Sequence, residues 1–266
     1  YLEPWMFGYP LNSGGEFRQR QQDSAYVQRS LELKADLLLT ESFSLGGLFS
    51  REDVIPSSTR AVHNVSASRI LTTGIEIQYD TRNDAFSPTA GVNYRTKYQI
   101  GNKKISGFLP SFPANGRETT TIQKISFDAD LFVEPFPAQV VALGLHGRQT
   151  TNDQVELSDL YRFGGANTLR GYRENEFAGS RVAWTNSEYR FLLARRSFVF
   201  GFVDTGYYVL PEDDSMQRSS AQHMKFGYGV GIRLETSLGN IGVSFAFGGG
   251  DSFGEGKIHL GLINGF

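Results

Sequence analysis

The chain has 266 residues, a formal net charge of −2 and no cysteine. That length suits a single domain or barrel. The balanced charge leaves no basic block for nucleic acid, and the missing cysteines exclude disulfides and thiolate metal sites. Mean hydropathy is −0.30, and no apolar run reaches the ~18 residues a membrane-crossing helix needs.

The chain opens on Tyr-Leu-Glu-Pro-Trp, without Met or signal peptide, so it reads as a processed chain or a fragment. Residues 1–11 look like the tail of an earlier strand followed by a Pro-Trp turn. Beyond them the dominant period is two. Strands are expected at 11–22, 26–39, 43–55, 69–82, 91–103 and 120–134, then at 139–151, 181–193, 197–210, 223–237, 240–249 and 257–266. No stretch reads as a helix.

The alternation is clearest in particular runs. Leu71, Thr73, Ile75, Ile77 and Tyr79 alternate with Thr72, Gly74, Glu76, Gln78 and Asp80. Ile125, Phe127, Ala129, Leu131 and Val133 alternate with Lys124, Ser126, Asp128 and Asp130. In 224–237, Met224, Phe226, Tyr228, Val230, Ile232 and Leu234 share one face, while glycines and charges hold the other. A strand puts alternate side chains on opposite faces. Here aromatics and aliphatics would face lipid, and glycines and charges a lumen. Most of these strands have roughly 10–14 residues, enough for a tilted membrane crossing.

Connection lengths carry an independent signal. Short links at 40–42, 83–90, 135–138, 194–196 and 238–239 alternate with long ones at 56–68, 104–119, 152–180, 211–222 and 250–256. Tight turns on one side of a membrane and long loops on the other give that rhythm. The expected fold is all-β: an antiparallel transmembrane barrel of an outer-membrane type. Unpaired edge groups in lipid cost several kcal/mol each, so the strands must close. Twelve could close alone, but the opening segment hints at strands upstream.

The longest loop holds Leu160-Tyr-Arg-Phe-Gly-Gly-Ala-Asn-Thr-Leu-Arg-Gly-Tyr172, followed by Asn186-Ser-Glu-Tyr-Arg190 and Phe202-Val-Asp-Thr-Gly206 on strands. Gly164, Gly165 and Gly171 permit tight backbone paths. The loop centre has few large apolar groups and so is not expected to form a core of its own. If it folds into the lumen, Arg170 becomes a buried cation that needs a partner, and Glu188 and Asp204 both have inward parity. A solvated surface loop is the simpler alternative.

This combination resembles the BamA/TamA-like superfamily (the bacterial surface antigen barrel) of outer-membrane insertases and two-partner-secretion translocators. The Gly-Gly-x-x-x-x-Arg-Gly-Tyr loop carries the resemblance, with Asp80-Thr-Arg-Asn-Asp-Ala-Phe-Ser-Pro-Thr-Ala-Gly91 as a second, less specific match. The resemblance implies a barrel of about sixteen strands preceded by periplasmic POTRA domains, with this chain as its C-terminal portion. It also implies a clamp of Gly164, Gly165, Arg170, Gly171 and Tyr172 against Glu188 and Asp204. A weakly paired seam would lie between the first and last strands. Here the last strand is Lys257–Phe266, where Gly261 and Gly265 weaken packing, and terminal Phe266 matches an aromatic end that assembly machinery reads.

Other motifs carry less. Gly250-Asp-Ser-Phe-Gly254 matches an esterase pattern but lies in a hairpin loop, not a strand–turn–helix elbow. Gly227, Gly229 and Gly231 are spaced by two, which leaves room for a folded-back loop rather than a nucleotide. His63, His146, His223 and His259 form no ligand-spaced group, and Glu76, Asp80, Asp128 and Asp130 fit lumen lining.

The expected role is a non-enzymatic assembly factor without cofactor or metal, inserting barrel proteins into the bacterial outer membrane through a lateral seam. Its partners would be membrane lipid, unfolded barrel clients and accessory periplasmic or lipoprotein subunits, not nucleic acid. The alternatives are a two-partner-secretion translocator and, behind it, a diffusion channel.

Overall fold

The computed structural model describes residues 2–3, 8–22, 25–57, 65–106, 118–153, 155–212, 219–237 and 239–263. Period-two alternation becomes one curved antiparallel sheet, with every neighbouring pair adjacent in sequence except across the longest loop. The strands are β1 (Leu2–Glu3), β2 (Leu11–Gln22), β3 (Tyr26–Leu38), β4 (Phe43–Pro56), β5 (Ala67–Asp80), β6 (Gly91–Ser106), β7 (Thr119–Phe136) and β8 (Gln139–Asn152). After the loop come β11 (Arg181–Ala194), β12 (Ser197–Leu210), β13 (Ala221–Thr236), β14 (Gly239–Gly248) and β15 (Lys257–Ile263). The loop itself carries β9 (Tyr161–Phe163) and β10 (Phe177–Gly179), a two-stranded ribbon the sequence pattern does not announce.

All twelve expected strands are present among the described residues, most within two residues of their expected bounds. The last is shorter: β15 runs to Ile263, and Gly265 and Phe266 lie outside the described residues. Among those residues the sheet is open, with β1 and β15 at its two edges. The far side of β2 pairs with β1, through Leu2 with Gly14 and Glu3 with Ser13, and not with β15.

Side chains sort by parity as a membrane barrel requires. On β13, Phe226, Tyr228 and Val230 are 49%, 49% and 63% exposed, so large apolar groups coat the outside. Leu31, Ile75, Leu143, Val203, Ile258 and Leu260 continue this exposed band across the sheet. No soluble core would leave such groups uncovered. A charge on that band is expensive in lipid: Val230→Arg is expected to cost about 2–4 kcal/mol near the bilayer midplane. The folding equilibrium in phospholipid vesicles measures it. An unchanged equilibrium would contradict the outward assignment.

Both ends of the barrel wall are tied across its interior. At the short-turn end, the turn after β5 sends Asp84 to Arg196, in the turn after β11, at 2.9 Å. The Arg196 Cζ lies over Phe86, 5.5 Å from the ring centroid. Burial opposes ionisation of Asp84. The Phe86 and Ser87 N–H groups and Arg196 outweigh it, holding the carboxyl below the ordinary range.

At the long-loop end, the first arm of the loop after β8 crosses the mouth. Ser66 N–H donates to Glu156 Oε1 at 3.1 Å. Lys103, wholly buried at the end of β6, donates to Glu156 Oε2 and Asp159 Oδ2, each at 2.7 Å. Leu157 packs on Tyr26, Val54 and Val65 beneath the same arm.

Candidate functional site

The loop after β8 continues from that lid into the lumen. Tight backbone paths make the descent possible: Gly164, Gly165 and Gly171 have φ of 114°, 101° and 90°. Gly171 shows the need best. A Cβ there would lie 2.4 Å from the Phe247 backbone, so any side chain would push the loop off β14. The wall is also cleared to receive it, because a Cβ on Gly227 would sit 1.9 Å from the Arg170 carbonyl oxygen.

As its composition implies, the loop forms no core by itself and instead joins one with the wall. Phe163, Leu169 and Phe177 pack against Val182, Trp184 and Tyr208 of the wall. The loop has too few apolar groups to form a core alone, but inward aromatics of β11 and β12 complete it.

Arg170 is anchored on every side. Its Nε and Nη2 donate to Asp204 Oδ2 and Oδ1, both at 2.8 Å, and its Nη1 donates to Glu188 Oε1 at 2.6 Å. Its own backbone N–H also reaches Asp204 Oδ2, at 3.1 Å. The bidentate fork suits a planar guanidinium and would not suit an ammonium. The Arg170 Cζ lies 3.7 Å from the Phe202 ring centroid and 5.7 Å from that of Phe200. Asp204 has no exposed side-chain surface, and the Arg170 and Glu188 side chains are 7% and 10% exposed. A charge group this dry is stable only while every member is paired.

Further loop contacts reach the last three strands. Tyr172 donates its hydroxyl to the Phe226 carbonyl at 2.9 Å and accepts from Gly249 N–H at 3.0 Å. Gly171 N–H donates to His259 Nε2 on β15 at 3.1 Å, tying the loop to the last strand. Of the residues expected at the seam, Lys257 and Gly261 lie on β15, Lys257 bonded to Asp251 at 2.7 Å.

The sequence reading missed several participants. Phe200 and Phe202 have inward parity, but β12 is apolar on both faces, which hides which rings face the lumen. Arg190, which donates to Glu188 Oε2 at 2.8 Å, stands two residues beyond an expected site acid on the same face. In the sequence His259 is one of four histidines without ligand spacing. Its bond to Gly171 depends on a contact 88 residues away in sequence. The described residues hold no group of three or more His, Cys, Asp or Glu that could bind a metal ion.

The model of the Omp85 superfamily domain matches residues 1–262 of this sequence. The chain belongs to the Omp85 superfamily. Among solved structures, this Omp85 chain is similar to BamA from Haemophilus ducreyi lacking POTRA domains 1–3, with a TM-score of 0.68 and 14% identity. That match covers 98% of this chain and 59% of the BamA structure, so the chain spans well under two thirds of that relative. CdiB from Acinetobacter baumannii matches with a TM-score of 0.48 and 12% identity, over 92% of this chain and 51% of CdiB. No curated protein matches the sequence. The BamA match establishes the fold, an outer-membrane-type β-barrel wall. The luminal loop with Arg170 is thus a feature of an Omp85 barrel.

Proposed function

We propose that this protein is a bacterial outer-membrane assembly factor that folds β-barrel clients into the membrane at the edge of β15. The observation that carries the reading is a loop anchored inside the wall by Arg170 and tied to the last strand by His259. Among the described residues β15 lies at the edge of the sheet, where a weakly paired seam would offer a row of backbone donors and acceptors. Such an edge templates an incoming strand by β-augmentation. No catalytic group, nucleotide or metal is required, because the client's own hydrogen bonds and lipid-facing burial drive the reaction. Periplasmic accessory subunits would deliver the client.

The plugged interior also weighs against the other readings. A diffusion channel needs an open lumen, whereas here the loop is stapled to both the mouth and the wall. A secretion translocator would have to expel the same loop on every passage. The test is reconstitution of the full-length protein in liposomes with an unfolded barrel client. The client is expected to gain heat-resistant, folded mobility faster than in empty liposomes. Equal rates would overturn the proposal.

A further inference from the structure

The charges around Arg170 do not balance. Arg170, Arg190 and Arg233 face the lumen together, with Glu188 and Asp204 as the acids among them. Every carboxylate oxygen is already committed. Asp204 gives both to Arg170, and Glu188 gives one to Arg170 and one to Arg190. Arg233 stacks on Phe198 at 5.2 Å, but its Nε is buried without a hydrogen-bond partner, and no ion pair joins it to an acid among the described residues. Arg233 is half-buried, and its enclosed Nε has no acid of its own among the described residues.

A cavity of about 280 Å³ lies where that anion would go, between the loop and the last hairpin. Arg233, Ser244 and His259 line it. Gly242 and Gly261 open it, since a Cβ at Gly261 would meet nothing within 4 Å. A Cβ at Gly242 would come no closer than 3.8 Å to another atom, and 3.9 Å to Arg233 Nε. The Arg233 head therefore already lies over β14. Gly242 and Gly261 are register partners, so the path from Arg233 to the outer edge of β15 is clear of side chains.

We propose that this cavity is a carboxylate-binding site, filled by an acidic side chain on a strand added to the β15 edge. The reading of that edge as a docking edge is taken from the proposed function. Register supplies the geometry. The residue opposite Gly261 on an added strand points its side chain to the inner face, the face on which Arg233 lies. That strand lies about 10 Å from β14, which the extended arms of glutamate and arginine bridge over the two glycines. Arg233 then gains its counter-charge, and a strand with an inward acid at this register is preferred over one without.

The test uses the protein in detergent micelles with two probes. Sodium acetate, exchanged for chloride at constant ionic strength, is expected to raise the thermal unfolding midpoint. The rise should vanish in Arg233→Gln and in Gly242→Val, which fills the cavity but keeps the arginine. It should persist in Arg195→Gln, whose side chain is 84% exposed. A labelled alternating peptide with one inward glutamate is expected to bind about tenfold more tightly than its glutamine twin, with the preference lost in Arg233→Gln. No acetate effect, or the same effect in all variants, overturns the site. Equal binding of the two peptides overturns the acidic-strand assignment, as does protection by phosphatidylglycerol vesicles with none by the glutamate peptide. If neither peptide binds but the acetate effect holds and needs Arg233, the anion site stands and the docking edge fails.

Discussion

Arg170→Ala is expected to destabilise the folded barrel by about 3–5 kcal/mol, the range for removing one partner of a buried charge pair. The cost arises mostly from what is left behind. Asp204, with no exposed side-chain surface, would lose its side-chain counter-ion, and Glu188 would retain only Arg190. The stacking contact at 3.7 Å on Phe202 disappears too. Arg170→Lys should fall between parent and alanine, because an ammonium keeps the charge but loses the two-pronged fit to Asp204. Urea unfolding in micelles gives the stability, and limited proteolysis at 164–172 reports loop release. Client assembly should fall with loop release even where the barrel still forms. An alanine variant with parental stability and a protected loop would show that the ion cluster does not hold the loop.

Gly227→Val should release the same loop by steric means alone. Its first side-chain carbon would stand 1.9 Å from the Arg170 carbonyl oxygen, which is backbone and cannot rotate away. Overpacking of this kind typically costs about 1–3 kcal/mol. The informative measurement is the double variant. If both substitutions act by freeing one loop, their costs should sum to more than the double variant loses, since a loop can be released only once. Strict additivity would mean that the two residues support separate structures.

Much of this architecture can be read from one chain because membrane strands obey a strong parity rule. Met224 to Thr236 announces its lipid face residue by residue, and 71–80 and 125–133 do the same. The same parity puts Glu188 and Asp204 on the inner wall, and the glycine-rich loop supplies a cation for them to meet. What stays hidden depends on contacts that no period encodes. Lys103 reads as one more strand lysine until Glu156 and Asp159, more than fifty residues later, enclose it. The ribbon of β9 and β10 is three residues per strand, too short to alternate visibly. The excess arginine escapes notice because Arg233 looks like a solvated lumen charge until every neighbouring acid oxygen is shown to be taken.

The two transverse ties give the wall an uneven stiffness. Glu156 and Asp159 brace the strands from β3 to β6 at one rim, and Asp84 with Arg196 spans β5 to β12 at the other. Like a tube fitted with crossbars over part of its circumference, the wall resists ovalisation there. The last strands are held differently, hung on the loop by Tyr172 at β13 and by His259 at β15 rather than on a crossbar. Lateral pressure on that flank would therefore be passed to the Arg170 loop instead of being taken by a transverse tie.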